Sequence, residues 1–144
     1  MIHQEIKKSG KGEDFPHGKL SSQVIEAAIQ VHKTLGPGFL ESVYEEALGI
    51  ELTERKIPYE RQKPIRIDYR GKAVGEHRLD LLVDHRLIVE LKTVRELDPI
   101  HFSIVRSYKK AFGVDAGITL NFSTMPMTIK RVGFHTSFPV SLSS

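Results

Sequence analysis

Three charged residues lie on two neighbouring predicted strands in an otherwise apolar part of the chain. Asp80 is followed, after nine intervening residues, by Glu90-Leu91-Lys92. On a strand, Glu90 and Lys92 point to the same face, and Leu91 points to the other. A carboxylate and an ammonium on an apolar strand are costly unless they are paired or bind a ligand. These residues therefore indicate either a functional site or a buried ion pair.

The length of the loop between the two strands decides whether Asp80 lies beside Glu90. A two-residue turn places Leu79 opposite Glu90, whereas a three-residue loop over residues 84–86 places Asp80 there. We predict the three-residue loop. Directly opposed residues have Cβ atoms about 5 Å apart, so the two carboxylates could then bind one cation together.

Two opposed carboxylates suit a hard divalent cation. With the main-chain carbonyl of Leu91 and water, Asp80 and Glu90 offer the oxygen ligands that Mg²⁺ or Mn²⁺ prefers. The bound cation would lower the pKa of a water molecule and neutralise charge on a phosphate, as phosphodiester hydrolysis requires. Lys92 would position or deprotonate the attacking water, or stabilise the pentacoordinate phosphate. The alternative is an ion pair between Lys92 and one of the acids that closes a sheet edge.

Sequence periodicity predicts the elements that position these residues. Three helices are expected, at about residues 21–35, between Gly38 and Pro58, and at 99–112. Five strands are expected, at about residues 65–69, 78–83, 87–93, 116–122 and 128–134, the last at a sheet edge. Ser21 or Ser22 would cap the first helix, and Asp98 the third. The order α-α-β-β-β-α-β-β predicts an α/β domain in which a mixed sheet is flanked by helices on both faces.

Composition predicts one ordinary domain between two tails. The chain has 144 residues, of which 40% are hydrophobic and 27% charged, and it has no cysteine, which excludes disulfide scaffolds and thiolate metal sites. We expect a flexible tail at residues 1–19, the domain at 20–135 and a second tail at 136–144. The sequence has no apolar segment of the roughly 20 residues that a membrane span needs, and no secretory signal, so we expect a cytoplasmic protein without a membrane partner.

The other sequence motifs of common enzyme classes are missing. The seven histidines lack the spacing of a zinc hydrolase. The chain also has no GxSxG, GxGxxG or P-loop pattern, which excludes the corresponding acyl hydrolases, dinucleotide-binding enzymes and nucleotide triphosphatases.

Basic segments surround the acidic centre. Residues 55–72 hold seven bases against two acids, and the formal net charge is +3. This pattern suits a phosphate backbone held around a metal site, although solvated surfaces give the same pattern. The candidate phosphate contacts are Arg66, Arg70, Arg78, Lys109 and Lys110. Arg78 could equally pair with Glu76.

The motifs resemble those of a known group of proteins. Asp80 followed by Glu90-Leu91-Lys92, on the second and third predicted strands, resembles the PD-(D/E)XK nuclease superfamily. The segment Gly38-Phe39-Leu40-Glu41-Ser42-Val43-Tyr44 is similar to the motif of its small GxxExxY protein family. The similarity extends from about Leu20 to Phe134 and includes Glu60-Arg61-Gln62 and Asn121-Phe122.

The resemblance implies a restriction-endonuclease-like fold and a metal-dependent nuclease acting on DNA. It also implies that Glu41 is a third acid of the metal site, although an acid in the first turn of a helix is favoured by the helix dipole alone. Tyr44 could bind a ligand or a water molecule, or simply pack in the core. Relatives often carry Gln four residues before the tyrosine that matches Tyr108, and here that residue is Ile104.

Two further expectations concern partners. Compact nucleases often pair two copies to reach both strands, so we expect a homodimer. A fold does not by itself establish a function, so the alternative is a non-catalytic module on the same scaffold that binds nucleic acid or another protein.

Overall fold

Eight helices and strands form the domain. The computed structural model describes residues 17–114 and 116–133, without the side chains of residues 102–104 and 109–112. The elements are α1 (Gly18–Leu35), α2 (Glu41–Glu54), β1 (Tyr59–Tyr69), β2 (Lys72–Val83), β3 (Leu87–Lys92), α3 (Pro99–Phe112), β4 (Ala116–Asn121) and β5 (Thr128–Gly133). No helix in this described part is both long and apolar enough to span a membrane. The predicted tail at residues 136–144 lies outside the described residues.

The predicted order of elements is confirmed, but the start of α1 was predicted wrongly. The helix begins at Gly18, so the proposed tail boundary at residue 19 falls inside it. Neither Ser21 nor Ser22 is the cap, because both lie within the helix. The Ser21 hydroxyl donates a hydrogen bond of 3.0 Å to the Gly18 carbonyl, which satisfies this buried side chain inside the first turn.

The β1–β2 hairpin is longer than predicted. Its strands begin at Tyr59 and Lys72, six residues before the predicted starts at residues 65 and 78, and they pair from Tyr59–Val83 to Tyr69–Lys72. Most of the additional residues are exposed on both faces of the hairpin. Apolar alternation therefore gave no signal there, because neither face is buried.

The mixed sheet has the order β1-β2-β3-β4-β5, with β3 and β4 parallel and the other neighbours antiparallel. Helices α1 and α2 cover one face, where Leu48 packs in the same core as Val89 and Leu120. Helix α3 covers the other face, where Val105 packs in the same core as Ile88. This arrangement confirms the predicted α/β fold, with β5 at an edge.

The register between β2 and β3 confirms the three-residue loop. Val83 pairs with Leu87, so the loop comprises residues 84–86. Extending the same register along the strands places Asp80 opposite Glu90, one position beyond the last pair of the ladder. The two acids therefore lie where β2 and β3 begin to separate.

Candidate active site

Asp80 and Glu90 are joined through the main chain of each other's strand. The Leu91 amide donates a hydrogen bond of 2.7 Å to Oδ2 of Asp80. The Asp80 amide donates a longer one, 3.4 Å, to Oε2 of Glu90. These side chains thus replace ladder hydrogen bonds where the two strands separate, which holds both carboxyl groups at the open end of the sheet.

The two carboxyl groups lie in an environment that opposes their charge. The pKa of Asp80 is raised to about 6, chiefly by burial and also by the charges of Glu45 and Glu41. The pKa of Glu90 is raised to about 8, chiefly by burial and then by the charge of the neighbouring Asp80. Two carboxylates in a poorly solvated place repel each other, and a cation between them would relieve that repulsion.

Lys92 lies on the α3 side of the sheet together with Glu90. Leu91 packs under α1 and α2, whereas Ile88 packs against α3, as strand alternation predicts. The Lys92 charge lowers the pKa of both Asp80 and Glu90. The predicted acids and amine are therefore within electrostatic reach of one another.

Asn121 holds the chain just beyond Lys92. Its Nδ2 donates a hydrogen bond of 2.8 Å to the Val94 carbonyl, and its Oδ1 accepts a hydrogen bond of 3.1 Å from the Val94 amide. The Phe122 amide also donates 2.9 Å to the Lys92 carbonyl. These bonds fix the end of β3 from which the Lys92 side chain extends. Asn121 was part of the sequence resemblance, but the sequence did not identify it as a site residue.

Tyr44 has a structural role that the sequence left open. Its buried hydroxyl donates 2.6 Å to the Gly36 carbonyl and accepts 3.1 Å from the Phe39 amide. Its ring stacks on Phe122 at a centroid distance of 4.5 Å. The hydroxyl therefore makes its hydrogen bonds with the turn before α2, and the ring packs in the core, instead of facing a ligand.

The same turn places Glu41. Gly38 has φ +114°, a conformation that side chains rarely adopt. Glu41 follows three residues later as the first residue of α2 and is half-buried. The Gly and Tyr of the GxxExxY pattern thus build the turn, and the Glu between them starts the helix within electrostatic range of Asp80.

Sequence reasoning missed Glu45. This acid lies one helical turn after Glu41, with a side chain only 8% exposed. Its carboxylate accepts 3.0 Å from Nε of Arg61 and 3.0 and 3.1 Å from Nε2 of Gln62. The charge of Glu45 raises the pKa of Asp80 more than the charge of Glu41 does. The spacing from Glu41 and the Arg61-Gln62 pair were the available signals.

Gln62 also has an unusual backbone. Its φ is +52° within β1, a region that non-glycine residues seldom occupy. The β1–β2 pairing includes Arg61–Leu81 and Lys63–Leu79 but omits the intervening position, where Gln62 faces Asp80. The strand is therefore distorted beside the acid, and the side-chain hydrogen bonds to Glu45 stabilise the distortion.

The acids fit a magnesium-type site built on two carboxylates. Within residues 17–114 and 116–133, no three His, Asp or Glu side chains form a group that could hold a metal ion. Asp80 and Glu90 meet, whereas the structure connects Glu41 to Asp80 only through their charges. Mg²⁺ is commonly held by one or two carboxylates, with water and substrate phosphate as the other ligands. The donor chemistry of this pair fits that pattern.

Tyr108 of α3 lies beside the carboxylates. Its ring stacks on His77 with centroids 4.6 Å apart. Burial, followed by the charges of Glu90 and Asp80, raises its pKa to about 12. The phenol therefore stays protonated near the acids. The side chain of Ile104 lies outside the described residues.

The candidate phosphate contacts whose side chains are described have their contacts within the β1–β2 hairpin. Arg66 pairs with Asp68 at 2.6 Å, and Arg70 lies 5.8 Å from the ring centroid of Tyr69. Arg78 lies 3.6 Å from Glu76 and donates 3.4 Å to the Gln62 carbonyl, so it pairs with Glu76, as one of the two predictions stated. The side chains of Lys109 and Lys110 lie outside the described residues.

Comparisons with known proteins agree with this architecture. A search of curated proteins found no match. Among solved structures, the crystal structure of SSO0001 aligns with a TM-score of 0.52 at 17% identity, over 71% of this chain and 54% of that chain. The chain thus spans about half of that protein, and the likeness supports the restriction-endonuclease-like fold. Residues 18–132 match the family model of the PD-(D/E)XK nuclease superfamily, to which this chain belongs.

Proposed function

We propose that this protein is a metal-dependent nuclease that hydrolyses phosphodiester bonds in DNA. The observation that carries the proposal is the meeting of Asp80 and Glu90 at the open end of β2 and β3, with Lys92 on the same side as Glu90. Buried like charges of this kind are costly, and they are found where a cation is bound. We also propose that the chain falls within the GxxExxY group, because the Gly, Glu and Tyr of that pattern build the turn and the start of α2.

Asp80 and Glu90 would hold Mg²⁺ or Mn²⁺, with Glu41 and the Leu91 carbonyl as further predicted ligands. When bound, such a cation supplies a water molecule of lowered pKa and neutralises charge on the phosphate. Asp80 is oriented for this role by the Leu91 amide. Glu45 is engaged by Arg61 and Gln62, so it adds negative charge near the pair without a free carboxylate.

Lys92 would orient the attacking water and stabilise negative charge on the pentacoordinate phosphate. Its ammonium lies within electrostatic reach of both carboxylates, as that role requires. Tyr108 stays protonated beside the acids and can donate a hydrogen bond to a phosphate oxygen or a water molecule. Fixing the end of β3 through Asn121 would keep Lys92 aligned.

Purified protein incubated with supercoiled, linear and branched DNA and Mg²⁺ or Mn²⁺ tests the proposal. The wild type should cut, and Lys92→Ala should not. Lys33→Ala, which removes an exposed lysine on α1, is the matched control and should cut like the wild type. Equal cutting by the wild type and Lys92→Ala would identify a contaminant. Binding of DNA without cleavage would favour the non-catalytic module, and calorimetry without Mn²⁺ binding would exclude the cation site.

A further inference from the structure

The β1–β2 hairpin continues past the main sheet as a two-stranded arm, defined here as residues 64–78. Strand β3 pairs with β2 only at residues 81–83, so beyond Asp80 the hairpin has no third strand among residues 17–114 and 116–133. Arg70 and Gly71 close the arm with φ of +54° and +78°, values typical of the tightest hairpin turns.

One face of the arm extends the core under α3. Ile65 is buried in the same cluster as Leu79 and Tyr108. Farther out, Ile67 is 41% exposed and Tyr69 is 65% exposed. Strand alternation places Ile65, Ile67 and Tyr69 on one face. An apolar and aromatic stripe therefore runs from the core, past the candidate active site, to the end of the arm.

The charged groups of the arm are exposed. The arm has four bases, Arg66, Arg70, Lys72 and Arg78, against two acids, Asp68 and Glu76. The Arg66–Asp68 and Arg78–Glu76 pairs are solvated, and such pairs contribute little and exchange easily for other partners. Lys72 has no ion-pair partner among the described residues.

The tip combines an aromatic ring with cations. The Arg70 guanidinium lies 5.8 Å from the ring centroid of Tyr69, and Lys72 pairs with Tyr69 across the turn. Flat rings and guanidinium groups beside lysines are the side chains that contact bases and phosphates in nucleic-acid interfaces. The charge and the ring together favour a polyanionic binding partner that also offers flat or apolar surfaces.

We propose that the arm lies in the major groove of duplex DNA and contacts it at a distance from the scissile phosphate. This inference rests on the proposed nuclease function. A B-form major groove, about 12 Å wide, admits a two-stranded ribbon, whereas the major groove of A-form RNA is too narrow. Gln62, opposite Asp80, and Tyr69 are seven residue steps apart. At about 3.3 Å per residue these steps span about 23 Å, or about seven base pairs.

Binding measurements on the full chain test the arm separately from cleavage. Fluorescence anisotropy in EDTA would compare the wild type, Arg70→Ala/Lys72→Ala and Tyr69→Ala on duplex DNA, single-stranded DNA and duplex RNA. The double variant should bind duplex DNA about tenfold more weakly or worse. The slope of its log affinity against log salt concentration should also decrease by the amount expected for the loss of about two phosphate contacts. Lys19→Ala/Lys33→Ala removes the same charge from exposed positions of α1 and should bind as the wild type does.

The length of the duplex gives a second readout. With Mg²⁺, wild-type cleavage should fall when fewer than about seven base pairs flank the cut on the arm's side, and the double variant should lose this dependence. Unchanged duplex binding by the double variant, or an equal loss on single strands, would overturn the groove assignment. So would a change of oligomeric state on gel filtration, because the arm would then contact a second copy. A wild type that binds DNA through the arm but never cuts would refute the nuclease and leave the arm's role intact.

Discussion

The amide of Leu91 donates a 2.7 Å hydrogen bond to the carboxylate of Asp80 across the β2–β3 boundary. The main-chain ladder of these strands ends one pair earlier, at Leu81 and Val89. The Asp80 side chain therefore takes the place of a backbone acceptor while it remains next to Glu90. The orientation of the acid and the opening of the sheet are thus parts of one arrangement.

Asp80→Asn separates the charge of this residue from its hydrogen bond. The variant should lose cleavage and Mn²⁺ binding but gain stability without metal, by about 1 kcal/mol or more, or about 4 °C in Tm. An amide oxygen can still accept from Leu91, while the repulsion with Glu90 disappears. Thermal unfolding in EDTA measures this. Asp80→Ala, which also loses the acceptor, should not gain as much, and a stability loss equal for both variants would contradict the prediction.

The stability of the metal-free protein should fall as pH rises. Both acids have a raised pKa in the folded state, about 6 for Asp80 and about 8 for Glu90, against ordinary values of 3.8 and 4.5. The folded state therefore binds protons more tightly than the unfolded state, and this contribution is complete only below the ordinary values. It is lost progressively as pH rises through the folded values. Urea unfolding in EDTA at pH 5.5, 7 and 8.5 should show decreasing free energies of unfolding.

In the same measurements with Mn²⁺, the stability that the cation adds should increase as pH rises. Because a cation replaces the protons on Asp80 and Glu90, the stabilisation by Mn²⁺ should grow with pH. The control is Asp80→Asn/Glu90→Gln, in which both the pH dependence and the Mn²⁺ effect should flatten. A wild type whose metal-free stability depends on pH between 5.5 and 8.5 as little as that of this variant would disprove the assignment.

Asn121→Ala should reduce the rate of the reaction more than the binding of its substrate. Loss of both bonds to Val94 frees the end of β3, and displacements of about 1 Å near reacting groups can cost about 100-fold in rate. We expect kcat to fall by about 10- to 100-fold with little change in KM or Mn²⁺ affinity. Thr124→Ala removes the Thr124–Thr128 hydrogen bond, 2.8 Å long, from the following turn and should leave kcat nearly unchanged. Equal losses in the two variants would indicate a general structural effect.

Tyr44→Phe should weaken the fold and leave the cation site intact. The change removes the partners of the Gly36 carbonyl and the Phe39 amide, which costs about 1–3 kcal/mol when such groups are buried. Tyr59→Phe loses only an exposed 3.3 Å contact with Thr53 and should cost about 0.5 kcal/mol or less. Urea unfolding measures both. A folded Tyr44→Phe protein that no longer binds Mn²⁺ would instead make the hydroxyl part of the site.

The order of elements and the pairing of Asp80 with Glu90 could be predicted from the sequence alone. Apolar periodicity is a local property, and loop length sets strand register because side chains alternate at every residue. That is why the three-residue loop over 84–86 was sufficient to place both acids. The full length of the hairpin could not be predicted in this way, because its outer residues are solvated on both faces and carry no apolar alternation.

Only the tertiary structure decided the roles of the residues on α2. Tyr44 and Glu45 are neighbours in the chain, and the sequence indicated the tyrosine as the candidate. In the fold, the Tyr44 hydroxyl closes a turn, whereas Glu45 is clamped by Arg61 and Gln62 beside Asp80. The partners of both side chains come from segments folded against α2, and the geometry of such contacts is set by packing, which local sequence pattern does not encode.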